Sequence, residues 1–389
     1  MRCNFDTIIE RKGTGSVKWD SLEKRYGEKD LLPFWVADMD FAAPQSVNEA
    51  ICRRIQHNVY GYTEVSCSVY EAICNWSKTR YEWPLQPEWI SFTTGVVNAL
   101  NILITTYTQP GDKVLIQPPV YAPFFRTVLN NGRQVVYNPL QPSGSSYTMD
   151  FDALESSIDG RTRMLILCNP HNPVGRVWRK SELKKLADIC LRHKILIISD
   201  EIHADFVYSG HRHIPLASLG EEVAQNTITC MAPSKTFNLA GLATSFVVIS
   251  NTRLRRMFVN ALENIGVSTA LLGITALEAA YRDGEPWLDS LLGYLEGNRD
   301  FIQSFLKDRL PMIKMTDLEG TYLAWLDCKC LGVTAKNLHD FFVHKAKIVV
   351  NDGSWFGPYG SGFVRFNIGC PRSLLQEGLV RIEKAVSNH

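Results

Sequence analysis

Seven short apolar runs, many of them rich in β-branched residues, recur through the middle of this chain, at 89–93, 113–117, 134–137, 163–168, 195–199, 227–231 and 244–249. Longer amphipathic stretches separate them. Within 180–193, Leu183, Leu186, Ala187, Cys190 and Leu191 fall at helical spacing behind Ser181 and Glu182, residue types that open helices. Repetition of strand and helix predicts an α/β fold, with a mostly parallel central sheet and helices on both faces.

The rhythm breaks near residue 285. A long amphipathic segment at 287–310 is followed by a strand-like run at 321–327, a helix near 334–345 and a glycine-rich stretch at 353–362. These read as a smaller α+β domain. Residues 1–45 hold Pro33, Pro44 and few helical signals, and are expected to pack beside it. The division that follows is a large domain over 46–285 and a small one assembled from 1–45 and 286–389. No internal repeat or low-complexity tract interrupts it.

Charge narrows the partner. Forty-one basic residues against 40 acidic ones leave a formal net charge of +1, so no long-range field favours nucleic acid or an anionic membrane. Recognition is expected to be local, of a small molecule in a pocket. Met1 to Gly13 lacks the apolar core of a signal peptide. The longest apolar runs, such as 164–168 and 195–198, fall far short of the roughly 18 to 20 residues that a spanning helix requires. The ten cysteines (Cys3, Cys52, Cys67, Cys74, Cys168, Cys190, Cys230, Cys328, Cys330 and Cys370) show neither zinc-ribbon nor disulfide-framework spacing. A reducing cytoplasm is the expected compartment.

In an open α/β sheet, ligands bind beyond the carboxyl ends of the strands. Four predicted strand ends carry unusual residues. Thr93-Thr94-Gly95-Val96-Val97 passes from strand through glycine into a helical pattern, and a helix N-terminus of that kind suits a phosphate. Asn169-Pro170-His171-Asn172-Pro173 makes a rigid loop that holds the Asn172 amide at the sheet edge. Asp200, in Ser199-Asp200-Glu201-Ile202-His203, follows four apolar residues and needs a cation or strong donor to stay ionised. Lys235, in Pro233-Ser234-Lys235-Thr236, sits in a small-residue turn where desolvation would make it nucleophilic. Taken singly, each has a plain reading: a structural glycine, a turn, a salt bridge, a solvated lysine. Together they supply a phosphate cradle, an amide donor, a buried carboxylate and an amine. A cofactor with a phosphate, a phenolic oxygen, a protonatable ring nitrogen and an aldehyde needs those partners, which points to pyridoxal 5′-phosphate.

With these residues the chain resembles the fold-type I pyridoxal-phosphate enzymes of aminotransferase class I/II. Within them it is similar to the MalY/PatB group of cystathionine β-lyases. Phe5-Asp6 with Lys18-Trp19-Asp20, Pro33 to Phe41, Tyr60-Gly61-Tyr62-Thr63, Pro118-Pro119-Val120-Tyr121, Ser199 to His203, Ser234 to Asn238 and Val364 to Ile368 carry the resemblance, in order along nearly the whole chain. It implies that Lys235 bonds the cofactor aldehyde, Asp200 pairs with the ring nitrogen, Asn172 bonds the ring oxygen and Tyr121 stacks on the ring. Gly95, Val96 and Val97 would offer backbone donors to the phosphate, and Tyr62 would reach it from the neighbouring subunit of a homodimer with a shared active site. Arg365 would clamp the substrate α-carboxylate, with Trp35 on an apolar wall.

Three positions depart from the broader aminotransferase pattern. His203 stands where those enzymes carry a tyrosine on the ring oxygen, as it does in lyases of this group. Ala232 and Ala243 stand where many relatives place a serine and an arginine on the phosphate, leaving Ser234 and Thr236 as substitutes. The expected reaction is β-elimination from cystathionine- or cysteine-type amino acids, giving a thiol, pyruvate and ammonia. Transamination by the same residues, a cofactor-containing regulatory protein and a cofactor-free relative are the alternatives.

Overall fold

The computed structural model describes residues 4–388. Met1–Cys3 and His389 lie outside the described residues, so the reading of the N-terminus applies from Asn4 onward and Cys3 is not placed.

All seven apolar runs are strands of one sheet: β1 (Ile90–Thr93), β2 (Lys113–Ile116), β3 (Gln134–Tyr137), β4 (Thr162–Cys168), β5 (Leu196–Asp200), β6 (Thr227–Met231) and β7 (Ser245–Val248). Their spatial order is β1-β7-β6-β5-β4-β2-β3. Only β7 runs against its neighbours, β1 and β6. Helices cover both faces, and the side-chain alternation of each strand feeds two cores. Along β4, Met164, Ile166 and Cys168 join α1 (Val96–Tyr107), α2 (Pro123–Asn130) and α4 (Thr252–Ile265) on one face. Leu165 and Leu167 join Leu183, Leu186 and Ala187 of α3 (Lys180–Arg192) on the other. The start of α3 is fixed as its sequence suggests: the Glu182 carboxylate accepts from the Arg179 N–H at 2.9 Å.

The amphipathic segment near 290 is α5 (Glu285–Arg309), opened by proline in its first turn and closed with Lys307 and Arg309 in its last. A second sheet follows, in the order β8 (Lys314–Met315), β9 (Leu323–Asp327), β11 (Phe363–Asn367), β10 (Asn351–Asp352). The helix expected near 334–345 is broken into a short 3-10 turn, a single α-turn and a π-helical turn at Phe341–Lys345. The glycine-rich stretch packs tightly: a Cβ on Gly353 would stand 1.9 Å from the Gly360 carbonyl oxygen. Helix α6 (Arg372–Ser387) ends the fold.

The N-terminal segment is more helical than its sequence suggests, with short helices at Val17–Asp20 and Leu22–Tyr26. It then pairs Leu32–Pro33 in parallel with Ile348–Val349, and Phe34 stacks on Phe366 at 4.3 Å. Residues 35–41 continue as an irregular strap, bent at 36–38 and 40–41.

Candidate active site

Because β6, β5 and β4 are consecutive neighbours, their carboxyl ends present Lys235, Asp200 and Asn172 side by side. They line one cavity of roughly 270 Å³ together with Gly95, Val96, Val97, Tyr121, His203 and Ser234. Thr94, Asn98, Ala37, Cys168, Ile202, Ala240, Ala243 and Thr244 complete the lining.

At one end of the cavity α1 begins without a side-chain cap. Gly95 there has φ 140° and ψ 150°, a conformation open essentially to glycine alone. Its N–H is committed to Ser245 Oγ at 2.8 Å, and the first intrahelical bond runs from Ala99 N–H to the Gly95 carbonyl. The free donors are therefore the N–H groups of Val96, Val97 and Asn98, one residue further on than the sequence suggests. Ser234 lines the same cavity, whereas the Thr236 hydroxyl donates to Asp205 Oδ2 at 2.6 Å and is not a phosphate donor.

Charge is forced into this space by burial. Asp200, 4% exposed, accepts from the Ile202 N–H at 3.1 Å, and desolvation pushes its pKa up from 3.8 to about 7. Lys235 donates to the Ala37 carbonyl at 2.6 Å, and burial pulls its amine down from 10.5 to about 8. Burial, together with the charges of Lys235 and Arg365, holds His203 neutral, and its Nδ1 has no partner. A buried carboxylate that favours its proton is matched by a cation placed against it, as a pyridinium nitrogen would be.

Arg365 lies just behind Asn172. Its guanidinium donates to Asn172 Oδ1 at 3.1 Å, to the Trp35 carbonyl at 2.9 Å and to Asn351 Oδ1 at 2.6 Å. All three acceptors are neutral, Nε has no partner, and burial lowers its pKa from 12.5 to about 10. A buried cation with no carboxylate beside it is an anion site. Because Asn172 turns its oxygen to Arg365, its NH₂ group is left for the cavity.

Two expected residues lie elsewhere in the single chain. Trp35 offers Arg365 its carbonyl, while its indole donates to the Lys18 carbonyl at 3.1 Å and stands edge-on to Tyr26. Tyr62 is fully exposed.

Apart from Trp35, the strap residues were not singled out as functional in the sequence, yet nearly every carbonyl of 35–41 is held by a side chain. Asn367 donates to the Val36 and Asp38 carbonyls at 2.6 and 2.7 Å, and Tyr322 joins Lys235 on Ala37 at 2.9 Å. Asn238 donates to Met39 and Phe41 at 2.8 and 2.9 Å and accepts from the Met39 N–H at 3.0 Å. Lys18, 1% exposed, pairs with Asp40 at 2.7 Å beneath it.

Fold and cavity thus define an α/β protein with a buried amine, acid and guanidinium around an uncapped helix, a donor set that fits pyridoxal phosphate. The chain belongs to the aminotransferase class I and II family, whose model matches residues 29–382. It is 44% identical over 386 residues to cystathionine β-lyase PatB of Bacillus subtilis (strain 168), covering 99% of this chain and 100% of that one. It is 33% identical over 387 residues to protein MalY of Escherichia coli (strain K12), covering 98% of each. The structure of cystalysin from Treponema denticola, which contains a pyridoxal 5′-phosphate cofactor, matches with a TM-score of 0.97 at 38% identity over 100% of both chains.

Proposed function

We propose that this protein is a pyridoxal-phosphate-dependent carbon–sulfur β-lyase acting on cystathionine- and cysteine-type amino acids. The observation that carries the reading is the juxtaposition of Lys235 and Asp200 with Arg365, whose buried guanidinium meets only neutral acceptors. The kinship with cystathionine β-lyase PatB supplies the leaving-group chemistry.

When bound, pyridoxal phosphate supplies an electron sink for the negative charge that develops at the substrate Cα. The N–H groups of Val96, Val97 and Asn98 would hold its phosphate, Asp200 its ring nitrogen, the Asn172 NH₂ its ring oxygen and Tyr121 its ring face. Arg365 takes the substrate α-carboxylate on its free Nε–H side, which orients the Cα–H bond. Lys235 would bond the cofactor aldehyde and, with its amine free, would take that proton, its lowered pKa letting it serve as a base near neutral pH. The C–S bond at Cβ then breaks, the bonding pair leaving with sulfur as a thiolate that takes the proton held by Lys235, and hydrolysis of the remaining three-carbon enamine by one water gives pyruvate and ammonia. His203, kept neutral by burial, would take the ring-side place where transaminases carry a tyrosine.

The same reading extends to the molecule. A homodimer would bring a neighbour's exposed Tyr62 to the phosphate. The N-terminal strap, paired with the C-terminal part of the chain, would move with residues 286–389 as a small domain against 46–285. Free thiols at all nine described cysteines suit a cytoplasmic protein, and homocysteine released from cystathionine would serve methionine biosynthesis. Thiol release from cystathionine by the cofactor-loaded protein tests the reading. Lys235→Ala should lower the rate by about 10³-fold or more and abolish the visible absorption band. Full activity in that variant would refute it.

A further inference from the structure

Two side chains donate to the Ala37 carbonyl, the Lys235 amine at 2.6 Å and the Tyr322 hydroxyl at 2.9 Å. A carbonyl oxygen has two lone pairs, so the two donors saturate it. Ala37 lines the cavity, whereas Tyr322 is fully buried just ahead of β9. Its ring packs edge-on against Phe206 at 4.8 Å and His203 at 5.9 Å. Burial, with the charge of Asp38 and against the pull of Arg365, pushes the Tyr322 phenol up, so the hydroxyl keeps its proton and remains a donor near neutral pH.

The backbone that delivers this hydroxyl is strained. Thr321 has φ 67°, in the left-handed region, where a β-branched residue is an outlier. Three hydrogen bonds hold it there: its N–H donates to the Phe206 carbonyl at 2.9 Å, its carbonyl accepts from the Tyr208 hydroxyl at 2.7 Å, and its Oγ1 accepts from the Leu323 N–H at 3.2 Å. Strain that the surroundings over-determine in this way points to a functional constraint nearby. The side chain that follows is Tyr322, whose hydroxyl shares an acceptor with Lys235.

We propose that Tyr322 is a positioning residue for Lys235, which by sharing the Ala37 carbonyl fixes where the free amine rests and weakens that oxygen's hold on the amine's charged form. The inference rests on the reading of Lys235 as the cofactor-bonding amine. Two donors on one oxygen oppose each other, since each turns the positive end of its dipole toward the other. A charged ammonium feels that opposition more than a neutral amine does. The other groups facing the amine are Asp38 and Asp200, which favour its charge, Arg365, which opposes it, and His203, which burial keeps neutral. All four stay in place when the hydroxyl alone is removed.

The test is stopped-flow uptake of pyridoxal phosphate by the cofactor-free protein across pH, for the unaltered chain, Tyr322→Phe and Phe206→Leu. Tyr322→Phe keeps the ring and loses the hydroxyl. It is expected to raise the midpoint from about 8 by about half a unit to one unit, slowing uptake at pH 7 by roughly three- to tenfold. Phe206→Leu thins the packing against the same ring and keeps the hydroxyl, so it should lower the denaturant midpoint and leave the pH midpoint in place. In the loaded protein, exchange of the L-alanine Cα–H for deuterium, followed by NMR, should slow in kcat rather than KM in Tyr322→Phe and recover as pH is raised. A midpoint that Tyr322→Phe leaves unmoved or lowers, an equal rise in Phe206→Leu, or exchange that stays slow at high pH overturns the proposal. Alanine carries no leaving group, so the two readings fail separately. A raised midpoint without thiol release from cystathionine would sustain the role of Tyr322 and refute the lyase reading. Thiol release with an unmoved midpoint would refute the role of Tyr322 alone.

Discussion

Lys235 and Asp200 hold their charges against their surroundings, and the sign of each shift has a consequence. The Lys235 amine attacks an aldehyde only when neutral, and burial brings its pKa from 10.5 to about 8. Cofactor uptake by the cofactor-free protein should therefore accelerate as pH rises through about 8 and level off above it. Stopped-flow absorbance checks this, and a midpoint near 10.5 would mean that the amine is solvated. These residues were legible in the sequence because each follows an apolar run that had to be a buried strand, so chain order alone placed them at one sheet end. Ala37, Tyr322, Asn238 and Asn367 were not legible as functional. The Tyr322, Asn238 and Asn367 side chains donate to backbone carbonyls, that of Ala37 among them, nearly 200 to over 300 residues away, and such contacts leave no local pattern.

The strap is the element most exposed to single substitutions. Asn238→Ala removes one accepted and two donated hydrogen bonds that tie 39–41 to the turn carrying Lys235. The expected cost is roughly 1–3 kcal/mol, read from a denaturant midpoint shift with unchanged slope. Cofactor affinity should fall with it, because the same strap carries the Ala37 carbonyl on which Lys235 rests. The strands were readable since burial on both faces makes them continuous apolar runs. Helix α6 left a signal in Leu375, Leu379 and Ile382, at helical spacing, although the reading leaves 372–387 unassigned. The region 334–345 shows the opposite case. Its apolar pattern is helical, but Phe341 and Phe342 are both buried in the small-sheet core, and the backbone accommodates them by a π-turn.

For the whole molecule, a single chain leaves Tyr62 fully exposed beside Val59 and Tyr60, which are also exposed. The shared-site dimer predicts a mass of two chains by light scattering, and a cofactor affinity lowered about tenfold in Tyr62→Phe by loss of one charge-assisted hydrogen bond. A monomer that retains full cofactor affinity would refute the shared site. Net charge and length could say only that recognition is local. The architecture shows how, with a few charges collected at the ends of two sheets that lie far apart along the chain. The central claim is that this arrangement expels sulfur rather than returning the proton to the cofactor. Pyruvate and thiol released from cystathionine, with and without an added keto acid, measure that most directly. Equal yields of pyruvate and thiol that are independent of keto acid are predicted, and pyruvate formation that requires the keto acid would contradict the account.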